Sequence, residues 1–340
     1  LKNVAIVLLN WNGKKYLEQF LPIVIACSGD CRIVVADNDS TDDSVDFLKN
    51  NFPQIELVIN SENGGFAKGY NDALKKIDSE FYILLNSDIE VTKDWVVPLF
   101  EKMKNPTIAG CQPKVLSFYN RSQFEHAGAS GGYLDKNYFP FCRGRILEKF
   151  EQDHGQYDGE SEVFWATGAS LMIRSELYHK VGGLDEFFFA HMEEIDLCWR
   201  LKKQGFSFVA VPSSVVYHIG GGTLAYNSPK KLYLNFRNSL FMIIKNHEGI
   251  LLFKLLNRMS LDGIASIRFL VKGEFKNFVS VFNAHMAMYL RLRILLKQRK
   301  EIKKSTTLFN SKGLYKGNIL WARYFKGITK FKDLNQRFFD

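Results

Sequence analysis

The 340-residue chain has no apolar run of the roughly 18 residues that a bilayer-spanning helix needs. The nearest candidate, SLFMIIKNHEGILLFKLL, is cut by Lys245-Asn246-His247-Glu248, so no spanning helix is expected. The opening VAIVLL run is short and has neither a basic leader nor a cleavage site, so no signal peptide is expected. Cysteine is sparse. Cys27, Cys31, Cys111, Cys142 and Cys198 are odd in number and scattered, which excludes a disulfide framework and points to a reducing compartment. Cys27 and Cys31 have no second Cys/His pair at ligand spacing, which argues against a structural zinc. There is also no Walker A loop and no GxGxxG, so ATPase and dinucleotide readings find little support. Repeats and low-complexity segments are absent.

What is present is divided by charge. Residues 226–340 carry 23 Lys and Arg against 6 Asp and Glu, while the first 225 carry 22 against 30. An acidic body joined to a basic tail implies two tasks, one of them at an anionic surface. Within the body, apolar runs at 4–10, 31–38, 55–60 and 80–88 alternate with helical patterns. Their near-continuous apolar character fits strands buried on both faces, and the alternation predicts an α/β fold built on a mostly parallel, Rossmann-like sheet flanked by helices. Ser40-Thr41-Asp42-Asp43 reads as a helix start, with Ser40 as cap. Residues 111–162 are rich in aromatics, weak in periodicity, and read as an insert forming a second subsite.

Each strand ends in small polar residues: Asn10-Trp11-Asn12, Asp37-Asn38-Asp39-Ser40, Asn60 and Asn86-Ser87-Asp88. The C-terminal edge of an open parallel sheet is where ligands bind. Asn and Asp also favour turns and caps, which accounts for Ser40 and Asn12 without a ligand. A carboxylate at Asp37 can receive an N–H from a base edge or can cap the next helix. The glycines of Asn63-Gly64-Gly65-Phe66-Ala67-Lys68-Gly69-Tyr70-Asn71 permit close approach of a phosphate or base. In His191-Met192-Glu193-Glu194-Ile195-Asp196, the preceding Phe187-Phe188-Phe189 would desolvate a carboxylate and raise its pKa toward that of a general base. Asp196 and Arg200, four residues apart, can pair, which leaves Glu194 as the reactive candidate. His218 precedes Gly220-Gly221-Gly222, a composition suited to a closing loop. With Asp88 it could complete a Mg2+ or Mn2+ site whose remaining ligands are diphosphate oxygens and water.

Taken in order, VAIVLLNWNG, VVADNDSTDDS, ENGGFAKGYN, YILLNSDIEV, ATGASLMIRS, GGLDEFFFAHMEEIDLCWRLKKQG and VVYHIGGGT resemble the family 2 glycosyltransferases of the GT-A fold, the bacterial rhamnosyltransferase type above all. The resemblance runs from about residue 4 to 223 and implies a catalytic domain over 1–225, while charge and apolar patterning make 226–340 a basic, amphipathic helical region. It also implies a nucleotide-sugar donor, UDP- or dTDP-linked, held by Asn10, Asn12, Asp37, Asn38, Ser40, Asn63, Gly65, Phe66, Asn71, Asn86, Ser87 and Asp88. Asp88 and His218 would contact the metal, and Glu194 would be the base of an inverting displacement. The acceptor, a saccharide or lipid-linked saccharide of a cell-surface polysaccharide, is expected at Trp165, Thr167, Gly168 and Glu193. Two positions depart from the family pattern. Asn86-Ser87-Asp88 stands where Asp-x-Asp is usual, and Glu194 stands where Asp is usual. A nucleotidyltransferase would want Arg or Lys on the first loop, where NWNGKKYLEQF offers only a distal Lys pair. A non-catalytic sugar-nucleotide binder need not keep Glu194 and Asp88 together. The tail reads as an in-plane anchor on an anionic membrane, which would place the protein at the cytoplasmic face of the cell membrane. A dimerisation or packing module is the alternative. No motif supports nucleic-acid binding.

Overall fold

A computed structural model describes residues 1–220 and 228–340. Gly221, Gly222 and Thr223, and with them most of the expected closing loop, lie outside the described residues, as does the 225/226 boundary. The N-terminal half alternates as read. It runs β1 (Val4–Asn10), α1 (Lys14–Cys27), β2 (Arg32–Asp37), α2 (Ser44–Asn51), β3 (Glu56–Ile59), α3 (Gly65–Leu74), β4 (Phe81–Asn86), β5 (Ile89–Val91) and α4 (Val96–Met103). Next comes β6 (Ile108–Ser117), followed by the short strands β7 (Gly132–Asp135), β8 (Pro140–Cys142), β9 (Arg145–Ile146), β10 (Lys149–Phe150) and β11 (Ser161–Val163). β12 (Ser170–Arg174), α5 (Ser175–Lys180), α6 (Glu193–Lys202) and β13 (Ser207–His218) complete the body. The remainder is α7 (Pro229–Asn246), α8 (Leu251–Val271), α9 (Phe275–Ser305), β14 (Leu314–Tyr315) and α10 (Ile319–Tyr324).

The main sheet has the order β11-β13-β6-β12-β4-β1-β2-β3, with β5 paired to β13. β4, β1, β2 and β3 are parallel, whereas β12 runs antiparallel between β4 and β6. Alternation along β1 explains the two apolar layers. Val4, Ile6 and Leu8 pack with Leu17, Leu21 and Val24 of α1, and Ala5 and Val7 face the side of Ala67 and Tyr70 of α3. All five cysteines are free thiols.

The aromatic insert forms a second sheet of order β10-β9-β8-β7-β14. Its last strand comes from the far end of the chain. Tyr133, Phe141, Tyr315, Phe331 and Phe339 close a ring cluster there, with Tyr133 4.8 Å from Phe331 and Tyr315 4.7 Å from Phe339 between centroids. Buried Asp135 and Glu151 accept hydrogen bonds from the backbone N–H of Ile319 (2.9 Å) and Phe331 (2.8 Å). The crossing is close enough that a Cβ on Gly313 would lie 2.2 Å from the Phe164 nitrogen. Residues 228–340 therefore begin as the expected helices but return to the body, and the two parts share one core.

Among the described residues no helix is long and apolar enough to cross a membrane. α8 has an unusual polarity. Its buried stripe is Arg258, Asp262 and Ser266, while Leu252, Phe253, Leu256, Ile264, Ile267 and Val271 are exposed.

Candidate active site

Sheet register builds the site. Asn10 stands opposite Asp37, and Leu9 opposite Asn86, so the tips of β1, β2 and β4 lie abreast on one rim. Asn10 Nδ2 donates to Asp37 Oδ2 (2.9 Å) and Ser40 Oγ (3.2 Å), and Ser40 N donates to Asp37 Oδ1 (2.9 Å). Ser40 Oγ also receives the Asn12 N–H (2.9 Å), while Asn12 Oδ1 receives those of Thr41 (2.7 Å) and Asp42. Ser40 is consequently a brace between two rim loops, not the expected helix cap. α2 starts at Ser44, whose N–H is taken by Asp42 Oδ1 (3.0 Å). Asn10 Oδ1 is buried without a hydrogen-bond partner, an acceptor aimed at the rim beside Gly13 and Ser87.

Asn38 and Asn63 fix the glycine loop: Asn38 Nδ2 donates to Asn63 Oδ1 (3.0 Å) and to the Gly65 carbonyl (3.2 Å). Gly65 has φ +81°, and a Cβ there would lie 2.6 Å from the Phe189 carbonyl oxygen. Only glycine fits that contact.

Asp88 follows β4 and precedes β5, whose Ile89 pairs with His218 at the end of β13. His218 Nε2 lies 3.1 Å from Asp88 Oδ1, and Nδ1 lies 3.0 Å from Glu125 Oε2. Burial disfavours the imidazolium, but Asp88 and Glu125 outweigh it and push the His218 pKa up to about 10. Burial likewise opposes the Glu125 charge, yet His218 and the Ala127 N–H hold that carboxyl down to about 2. Among the described residues no group of three or more His, Cys, Asp or Glu is arranged to hold a metal ion. A cation bridging diphosphate oxygens needs fewer protein ligands. Asp88 and His218 are the residues that would hold such a cation, with Glu125 orienting the imidazole from behind, and the metal would supply charge to offset a diphosphate.

The second wall is the turn before α6. Phe189 (φ 64°), His191 (φ 71°) and Met192 (φ 72°) are left-handed without being glycine, a conformation that costs on the order of 1–3 kcal/mol per residue. The turn aims the first turn of α6 at the rim. A Cβ on Gly168 would lie 3.2 Å from Phe66 Cζ and 3.5 Å from Glu194 Cβ, so the β12 entry, the glycine loop and α6 converge. Glu193 Oε2 and Glu194 Oε2 are both shielded without partners. Burial raises the Glu194 pKa to about 7, with the backbone N–H groups of the helix start acting against it. Burial and then the charge of Glu194 keep Glu193 well above the carboxylate range. Asp196 differs. Despite burial, Lys245 and Arg200 hold it below its ordinary value, through contacts of 2.8 Å each.

The family model for glycosyl transferase family 2 matches residues 5–181, more than half of the chain. The chain belongs to that family. This family 2 glycosyltransferase is 22% identical over 270 residues to the N-acetylglucosaminyl-diphospho-decaprenol L-rhamnosyltransferase of Mycobacterium tuberculosis, covering 72% of this chain and 85% of the relative. It is 21% identical over 225 residues to the rhamnosyltransferase WbbL of Escherichia coli K12, covering 63% and 83%. Among solved structures it resembles the mannosyltransferase PcManGT of Pyrobaculum calidifontis with GDP-Man and Mn2+, at 14% identity and TM-score 0.52 over 89% of this chain and 85% of that one. GalNAc-T7 with UDP, GalNAc and Mn2+ gives 15% and 0.55 over 72% of this chain, which spans about half of that structure's chain. These likenesses establish the GT-A fold.

Some of the glycosyltransferase's expected site residues do other work. Asn71 is buried, with Nδ2 donating to the Leu184 carbonyl (2.8 Å) and Oδ1 receiving Tyr178 OH (2.6 Å) and Leu184 N. It pins the turn before α6 and has nothing left for a donor. Trp165 is no sugar platform, for its ring is buried against Gly132 and its Nε1 donates to the Tyr133 carbonyl (3.0 Å). Thr167 is buried, its N–H on Gln112 and its Oγ1 receiving Ala169 N, so it shapes the Gly168 bend from beneath. Glu125 and α7 were not read as site components. Glu125 fell in the segment without periodicity, where the adjacent polar pair Glu125-His126 was the only signal.

Proposed function

We propose that the chain is an inverting, metal-assisted glycosyltransferase that moves a sugar from a UDP- or dTDP-sugar to a hydroxyl of a lipid-linked saccharide, in the assembly of a bacterial cell-surface polysaccharide. The observation that carries this reading is Glu194. Its carboxyl is desolvated, with Oε2 buried and partnerless, and its Cβ packs beside Gly168 and Phe66. Asn10, Asp37 and the Asn38–Asn63–Gly65 loop hold the nucleoside. Glu194 takes the proton of the acceptor hydroxyl as that oxygen bonds to the anomeric carbon, and the bond to the diphosphate oxygen breaks with its electron pair leaving on the nucleoside diphosphate. A divalent cation, Mg2+ or Mn2+, held by Asp88 and His218 would offset the charge growing on that leaving group. Gly168 and Glu193 border the acceptor's approach. The lipid-linked acceptor is supported by the name of the mycobacterial relative.

The same reading puts the protein on an anionic membrane at the cytoplasmic face. α8 supports it, with apolar side chains outward, a polar stripe inward, exposed Arg268 in its last turn and exposed Lys272 just past its end. Incubation with UDP- and dTDP-sugars, Mn2+ and a diphosphate-lipid saccharide tests the chemistry. Acceptor-dependent release of nucleoside diphosphate is expected. Exchange of diphosphate would instead mark a nucleotidyltransferase, and donor binding without turnover a binding protein.

A further inference from the structure

The strained turn that delivers Glu193 and Glu194 holds itself only in part, through Phe189 N–H to the Glu186 carbonyl (3.1 Å) and Ala190 N–H to the Phe188 carbonyl (2.7 Å). Its carbonyls are gathered by one side chain from the region that reads in sequence as a separate tail. Asn238, fully buried on α7, donates through Nδ2 to the carbonyl oxygens of Phe188 (2.9 Å), Ala190 (2.9 Å) and His191 (2.7 Å). Its neighbour Arg237 donates to the carbonyls of Phe187 (3.0 Å) and Phe188 (2.8 Å). Three carbonyls of one turn, sharing the two N–H bonds of a single amide, are thus collected where Phe189, His191 and Met192 take left-handed angles. Eight residues on from Asn238, the same helix grips α6 itself, where Asn246 Nδ2 donates to Asp196 Oδ1 (2.7 Å). α7 therefore holds both the launch and the side of the helix that carries the acidic pair.

We infer that Asn238 is a positioning residue for transfer, setting the direction of Glu194 by fixing the Phe188–His191 carbonyls, with Arg237 as its second point of hold. The inference rests on Glu194 acting as the base. Asn238 is fully buried with its amide spent on protein carbonyls, so its loss should act on the chemical step and spare donor binding.

The test uses the full chain with the donor and acceptor that support turnover. Asn238→Asp keeps the volume and removes the amide donor. The expected result is a fall in kcat of at least tenfold with the donor KM within twofold of the parent, in protein that unfolds cooperatively. Tyr157→Phe, which removes a buried hydroxyl contact to Glu151 far from the turn, serves as a control for stability loss alone. A kcat for folded Asn238→Asp within twofold of the parent overturns the inference, as does a proportional loss in the control. If Asn238→Asp does not fold, Arg237→Gln decides. There, a kcat lowered at least threefold with unchanged donor KM supports the clamp, and an unchanged kcat overturns it. Were Glu194 not the base, Glu194→Gln would retain turnover, which separates failure of the parent reading from failure of this one.

Discussion

Lys245, near the end of α7, lies 2.8 Å from Asp196 of α6 and 2.6 Å from Asp185 in the turn before it. One buried ammonium thus bridges two carboxylates that the chain places 11 residues apart. Arg200 and Asn246 complete the shell of Asp196, and Gln298 of α9 reaches Asp185 at 2.9 Å. Lys245→Met would keep the stem, leave Asp185 without its cation and leave Asp196 with Arg200 alone. The expected loss is about 3 kcal/mol, since removing one member of a buried pair leaves its partner uncompensated. Urea unfolding reads it as a lower midpoint, and a change under about 0.5 kcal/mol would contradict the network's stabilising role.

Glu194 sets the pH dependence. As a base it must be ionised, and its pKa is raised to about 7 by burial. The kcat/KM, which reports the free enzyme's ionisation, should therefore climb about tenfold per pH unit below about 7 and level off above it. Stability has the opposite sign. A carboxyl whose folded pKa exceeds its unfolded value favours the native state below about 4.5, and that contribution is lost as pH rises through about 7. Glu194→Gln removes both effects. Transfer should fall by on the order of 10²–10⁴ while calorimetry still finds donor binding near the parent value. Near-normal turnover would withdraw Glu194 from the role of base.

The rim was legible because strand ends obey period and register. Once 4–10, 31–38 and 80–88 are strands, Asn10, Asp37 and Asn86 must lie abreast, and the structure places them so. The glycine loop was legible for the same reason, since Gly65 sits where a helix opens against another backbone. Asn71 and Trp165 misled because a motif shows which residue types recur near a site, not which way they point. Asn71 faces the protein, and the Trp165 ring fills space over Gly132. The insert escaped because its strands are two to four residues long, too short for a period, and its partner β14 lies 179 positions beyond the end of β7. The part played by α7 escaped for another reason. Asn238 is an ordinary polar residue in an amphipathic helix, and only tertiary contact shows it turned inward.

Asp88 is the next test. In Asp88→Ala the His218 imidazole keeps Glu125 but loses the carboxylate in front of it. Donor binding in Mn2+ should weaken by at least tenfold and become insensitive to EDTA, while binding of the nucleoside alone, held by Asp37 and Asn10, stays within about threefold. In the parent enzyme EDTA should lower donor affinity toward the Asp88→Ala value. Equal donor affinity with and without Mn2+ in the parent would remove the metal from the reading. That outcome would make the loss of one acid at Asn86 the reason.

α8 carries the last prediction. Truncation before α7 cannot test membrane binding, because α7 braces α6 and the last residues complete the second sheet. Surface changes can. Phe253 and Leu256 lie on the outward face, 68% and 54% exposed. Burying both in an interface contributes about 3 kcal/mol, on the order of a hundredfold in partitioning. Phe253→Ser with Leu256→Ser should therefore abolish flotation with vesicles containing phosphatidylglycerol and leave turnover on a short, water-soluble acceptor unchanged. Parent protein should float with anionic vesicles and release them as salt rises, since the exposed Arg268 and Lys272 supply the electrostatic part. Parent protein that ignores vesicles but sediments as a dimer, with the double variant monomeric, would assign this face to a second copy of the chain instead.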